Sequence, residues 1–141
     1  MPQKKPSKPR EPERDYSHRT LAEKLGIKPG QRIAVLGVED SEFQRDLELL
    51  VPHYSRGNRI SHADLLFFSA EAKEDLSRLK SLSRSICKSG GIWVVYPKGQ
   101  TRIREIEVIN AGKSAGLTDN KVVRFSATHT ALRFVIPLAK R

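Results

Sequence analysis

The 141-residue sequence holds one cysteine, Cys87, so it can close no internal disulfide, and none of its Cys or His spacings resembles a zinc site. The fold must therefore rest on packing, and a lone thiol suits a reducing compartment. No apolar run exceeds strand length, which leaves nothing to span a membrane. The proline-rich start, MPQKKPSKPREPERDY, lacks the apolar stretch of a secretory signal. A cytoplasmic protein without membrane contact is expected. Catalytic signatures are also sparse. KSGG, at 88–91, has neither the spacing of a phosphate-binding P-loop nor its following Lys and Ser/Thr. The four histidines, His18, His53, His62 and His129, stand near no nucleophile elbow, so they read as surface residues.

What the sequence has in excess is positive charge, 26 Lys and Arg against 16 Asp and Glu, for a formal net charge of +10. Residues 1–20 carry six basic and three acidic side chains, residues 21–70 six and seven, and residues 71–141 fourteen and six. The C-terminal half thus carries most of the excess, which favours contact with polyanions. Residues 1–16 offer almost nothing to bury and read as a disordered basic arm, with Lys4, Lys5, Lys8 and Arg10 as candidate phosphate contacts. Residues 17–141 then form one domain.

Thr20 and Glu23 read as a capping box, with Gly26 placed to end a short helix over Leu21–Leu25. LAEKLGI resembles the opening of a helix-turn-helix, but RIAVLGV stands where a recognition helix belongs. From there strands and helices alternate. Ile33 to Gly37, Ala63 to Ser69 and Ile92 to Tyr96 are buried strands. Ser41 opens a helix with Phe43, Leu47 and Leu50 on one face, stopped by Pro52. PHYSRGNRISH is loop with at most a short strand. Leu76, Leu79, Leu82 and Ile86 predict a third helix, ended by Gly90-Gly91, with Cys87 a buried inert thiol on its apolar side. Lys73, Lys80, Arg84 and Lys88 form a basic stripe along it. Ile103, Ile106, Ile109 and Ala115 mark a fourth helix, weakened by Gly112 and closed by Gly116. Lys121 to Ser126 and Ala131 to Ile136 are close enough for a hairpin.

The expected architecture is α/β and Rossmann-like, with a sheet of about five strands, mostly parallel, and helices on both faces. Numbered in chain order, its long strands should lie 1-2-3-5-4, strand 5 antiparallel. These elements, with KSGGIWVVYP and the closing hairpin, resemble a truncated class I methyltransferase fold. The landmarks SHRTLAEKLGIKPGQRIAVLG, ADLLFF, IWVVYPKG and ALRFV, spanning Ser17 to about Ile136, resemble a small bacterial family, domain of unknown function 3052. That resemblance implies methyltransferase-like ancestry and carries over no catalytic residue.

Open α/β sheets bind ligands beyond the C-terminal ends of their strands, which makes Gly37, Glu39, Ser69, Tyr96, Lys98 and Gln100 the candidate ligand residues. Lys98 is placed to meet an anion near the next helix N-terminus. The first strand-to-helix turn, LGVEDSEF, keeps one glycine and presents Glu39, Asp40 and Glu42 where a dinucleotide or S-adenosylmethionine needs a glycine loop, so no cofactor and no metal are expected. Lys80, Arg84, Lys88 and Arg102 extend the candidate nucleic-acid surface. Without a recognition helix or an exposed aromatic platform, any such binding should be electrostatic and blind to sequence. The expected function is a non-catalytic module on a degenerate methyltransferase-like scaffold with an anionic partner such as RNA or DNA. The alternative is a small-ligand or enzymatic domain, such as a divergent S-adenosylmethionine-binding protein.

Overall fold

The computed structural model describes residues 20–57 and 60–141; the arm, with Lys4, Lys5, Lys8 and Arg10, lies outside them, as does His18. The first helix, α1 (Leu21–Leu25), is closed by its capping box: Glu23 N–H donates to Thr20 Oγ1 at 3.2 Å and Thr20 N–H to Glu23 Oε1 at 2.9 Å. Gly26 ends it at φ 76°, a left-handed turn that suits a residue without Cβ.

A six-stranded sheet follows, in the order β2-β1-β3-β4-β6-β5. Its strands are β1 (Ile33–Leu36), β2 (Ser55–Arg56), β3 (Ala63–Ser69), β4 (Ile86–Pro97), β5 (Thr118–Arg124) and β6 (His129–Val135). The first four run parallel, and β6 pairs antiparallel with both β4 and β5. The five long strands therefore lie in the expected order, with the two-residue β2 added at one edge.

Alternation along the strands sends side chains to two cores. Ala34, Leu66, Phe68, Ile92 and Val94 face one side, where they meet Leu76, Leu79, Leu82 and, from α4 (Glu105–Ser114), Val108. Ile33, Val35, Phe67, Trp93 and Val95 face the other, against α1 and α2 (Ser41–Leu50) through Leu25, Phe43 and Leu47. Trp93 is inside, its Nε1–H donating to Leu25 O at 3.1 Å.

The helix predicted through Leu76, Leu79, Leu82 and Ile86 is corrected. Lys73–Arg78 and Ser83–Ser85 are 3₁₀ turns flanking the single α-turn α3 (Leu79–Leu82), and the chain is already extended at Ile86. Serine hydroxyls compete with the helix ladder here: Ser77 donates to Glu74 O at 3.0 Å, Ser81 to Arg78 O at 3.2 Å and Ser83 to Lys80 O at 2.6 Å. Gly90 and Gly91 thus stop no helix. They lie in β4, where Ala63 pairs with Ile86 but Leu65 pairs with Gly91, so the intervening residues bulge. A Cβ on Gly90 would stand 2.6 Å from Ala63 O.

Two further expectations fall with that helix. Cys87 is a half-buried strand residue whose Sγ donates to Asp64 Oδ1 at 3.5 Å, not a buried residue on an apolar helix face. Lys88 sits on the bulge, so the basic stripe breaks after Arg84. In α4, Ile106 is 55% exposed and Val108 takes the core position. Gly112 does not merely weaken that helix, since the Phe134 ring fills the space its Cβ would need.

Candidate functional site

The chain leaves β1 for β2 on one side and returns to β3 on the other, so the strand order reverses between the ends of β1 and β3. Ligands of open α/β sheets bind at this reversal. A cavity of about 280 Å³ lies there, lined by Gly37, Glu39 and Asp40 after β1, Ser69 and Glu71 after β3, and Ser126, Thr128 and His129 from the closing hairpin. Gly37 turns the chain at φ 77°.

The polar side chains of this cavity are largely engaged with one another. Glu71 is 52% exposed, yet Arg102 Nε–H donates to its carbonyl at 2.7 Å and Arg102 Nη2 meets its Oε1 at 3.3 Å. Its other oxygen, Oε2, lies 3.0 Å from His129 Nε2. His129 Nδ1 in turn lies 2.8 Å from Thr128 Oγ1. Ser126 Oγ accepts the backbone N–H groups of Thr128 at 3.3 Å and His129 at 3.1 Å, which holds the hairpin turn over the cavity.

All three helical segments that begin at this edge of the sheet are closed by carboxylates of the chain itself. Asp40 Oδ1 accepts Phe43 N–H at 2.9 Å at the start of α2. Asp75 Oδ2 accepts the N–H groups of Glu71 at 3.0 Å and Ala72 at 3.2 Å. Glu107 Oε1 accepts Arg104 N–H at 2.8 Å at the start of α4, and that N–H, with the Arg104 guanidinium beside it, holds the Glu107 carboxyl below its ordinary range. A helix N-terminus attracts anions through its free N–H groups and dipole. Here those positions already carry negative charge.

The other candidate residues at the strand ends belong to a neighbouring cavity. Tyr96, Lys98 and Gln100 line about 330 Å³ together with Arg104, Glu105 and Thr130. Lys98 is exposed, while its backbone N–H donates to Thr128 O at 3.0 Å. The anion expected beside Lys98 would face Glu105 in the first turn of α4. Tyr96 donates to Glu105 Oε1 at 3.4 Å; its burial, and then the Glu105 charge, push its hydroxyl up to about 12.

The structure thus places Gly37, Glu39 and Ser69 on one cavity and Tyr96, Lys98 and Gln100 on another. Arg102 is turned to Glu71, whereas Lys80, Arg84 and Lys88 are exposed and form no ion pair among the described residues. The assignment of His129 to plain surface is corrected, since it is the centre of the Thr128, His129 and Glu71 chain. No local spacing announces that contact. The adjacent Thr128-His129 pair at the start of a strand was the only available sign.

No family model matches the chain, and no curated protein matches it. Solved structures share its scaffold. A SAM-dependent methyltransferase from Aquifex aeolicus superposes with a TM-score of 0.66 at 14% identity, over 83% of this chain and 88% of that one. The Haloferax volcanii protein solved with the Trm112 methyltransferase activator gives 0.61 at 12% identity, over 83% and 86%. Aeropyrum pernix fibrillarin, solved with natively bound S-adenosyl-L-methionine, gives 0.53 at 17%, over 79% and 69%. Identities this low establish the fold alone, and the scaffold of this chain is methyltransferase-like.

Proposed function

We propose that this domain is a non-catalytic binding module on a methyltransferase-like scaffold and that its partner is a polyanion, with nucleic acid the chemistry its charge suits best. The observation that carries the reading is the self-capping of the sheet's C-terminal edge by Asp40, Asp75 and Glu107. S-adenosylmethionine, which the scaffold implies, does not fit these residues. The turn after β1 keeps one glycine, and the cavity there, about 280 Å³, is at the lower limit of typical ligand pockets of roughly 300–1,000 Å³. Strand β2 has two residues and ends on Arg56, which donates to Gln44 Oε1 at 3.2 Å, so it offers no carboxylate for ribose hydroxyls.

The basic excess then acts through the surface, where Lys80, Arg84 and Lys88 stand exposed. Kinship with domain of unknown function 3052 and a cytoplasmic location belong to the same proposal; no helix among the described residues is long and apolar enough to cross a membrane. Binding of unrelated RNA and DNA oligonucleotides across a salt series tests it. Affinity should fall with a log–log slope near −0.9 per phosphate neutralised on duplex DNA and less steeply on single strands. Removal of residues 1–16 should lower both affinity and slope. Strong preference for one sequence, or no binding at low salt, contradicts the reading.

One observation favours the alternative of a small-ligand or enzymatic site. Thr128, His129 and Glu71 form a hydroxyl–imidazole–carboxylate chain at the mouth of a cavity, an arrangement that can raise the nucleophilicity of an oxygen. Saturable binding of a small molecule that is lost in His129→Ala would select this second reading.

A further inference from the structure

The opposite edge of the sheet carries a different chemistry. Where the parallel strands begin, a cavity of about 560 Å³ lies between the loop that joins α1 to β1, with Lys28 and Gln31, the strand starts at Asp64 and Ser89, and Arg133 on β6. Arg133 pairs in register with Trp93 and lies across Gly91. A Cβ on Gly91 would stand 2.7 Å from Arg133 Nε, so the glycine is what lets the guanidinium lie flat on β4.

That Nε is shut off from solvent and has no hydrogen-bond partner among the described residues. A guanidinium keeps its proton at any physiological pH, so the buried N–H always needs an acceptor. Buried donors without one are rare in native proteins and point to a missing partner. Asp64 lines the same cavity without bonding to Arg133; its Oδ2 accepts Arg32 N–H at 2.8 Å and its Oδ1 faces Cys87 Sγ at 3.5 Å. Gln31 is likewise turned elsewhere: its Oε1 accepts Lys28 N–H at 2.8 Å and its Nε2 donates to Gly26 O at 3.2 Å. The charge bearing most on Arg133 is a second cation, Arg141.

We propose that this cavity is an oxyanion site, in which the Arg133 guanidinium turns from Gly91 into the cavity to take a carboxylate or phosphate group of a small ligand and Lys28 adds positive charge at its mouth. Guanidinium matches both groups through paired N–H donors. The site does not depend on the polyanion reading, since it sits at the other edge of the sheet and accepts a discrete group, whereas surface charge attracts a backbone.

The test is a ¹H–¹⁵N titration of the full chain that follows the arginine Nε–H signals, with inorganic phosphate in one arm, acetate in a second and sodium chloride at matched ionic strength as control. The proposal expects the Arg133 Nε–H signal to move saturably with phosphate or acetate, together with the backbone signals of Ser89 and Gly91, and the more effective anion identifies the ligand class. Arg133→Lys should abolish the saturable response. Lys28→Gln, on an exposed loop, should weaken affinity roughly twofold to fivefold, as one exposed charge contributes. If Arg133→Lys does not fold, the wild-type titration decides alone. An Arg133 Nε–H signal that moves no more with either oxyanion than with chloride overturns the proposal, as does equal affinity in Arg133→Lys.

Discussion

Glu71 and His129 are 58 residues apart in the chain and 3.0 Å apart in space. With Arg102 on the other side of Glu71, this contact ties the segment after β3 to the turn that opens β6. Glu71→Ala should therefore speed amide hydrogen exchange at Thr128 and His129. Because both partners are partly exposed, the loss of global stability should stay below about 1 kcal/mol.

Asp40 is read as a structural cap, not as a ligand contact. Asp40→Ala should cost about 1 kcal/mol in urea unfolding, and Asp40→Ser should recover most of it, since serine caps equally well. A neutral effect of Asp40→Ala would remove the cap from the account and reopen the start of α2 to an anion.

Gly112 and Phe134 give a test of packing. An exposed glycine-to-alanine change in a helix gains about 1 kcal/mol, but here the added methyl meets the Phe134 ring, and overpacking costs about 1–3 kcal/mol. Gly112→Ala should lower the melting temperature, and a rise would contradict the close approach of α4 to β6.

Much of this fold was legible as periodicity. The apolar runs of β1 and β3 announced themselves, and the short gap before β6 imposed the antiparallel hairpin, hence the strand order. The segment after β3 was misread because Leu76, Leu79 and Leu82 look helical. Leu76 lies in a 3₁₀ turn and Leu79 and Leu82 in the single α-turn that follows, and a spacing of three fits both, so periodicity does not separate them. The start of β4 at Ile86 depends on a bulge against β3, which only the partner strand reveals. The glycine-poor, acidic turn after β1 was readable, whereas the meeting of Glu71 with His129 and the stranding of Arg133 Nε are long-range products of the fold.

Tyr96 adds a pH dependence with a defined sign. Its hydroxyl ionises near 10 when unfolded and at about 12 when folded. Its contribution to stability is thus complete below pH 10 and is lost as pH rises from 10 through about 12. Unfolding midpoints across that window should fall more steeply for the wild type than for Tyr96→Phe. Equal slopes would show that the Tyr96 hydroxyl is not shielded.

The central claim is that the turn after β1, with its one glycine, and the two-residue β2, without a carboxylate, leave no place for the cofactor that the scaffold implies. Calorimetric titration of the full chain with S-adenosylmethionine tests this most directly. The account predicts only heats of dilution, and a micromolar dissociation constant would contradict it.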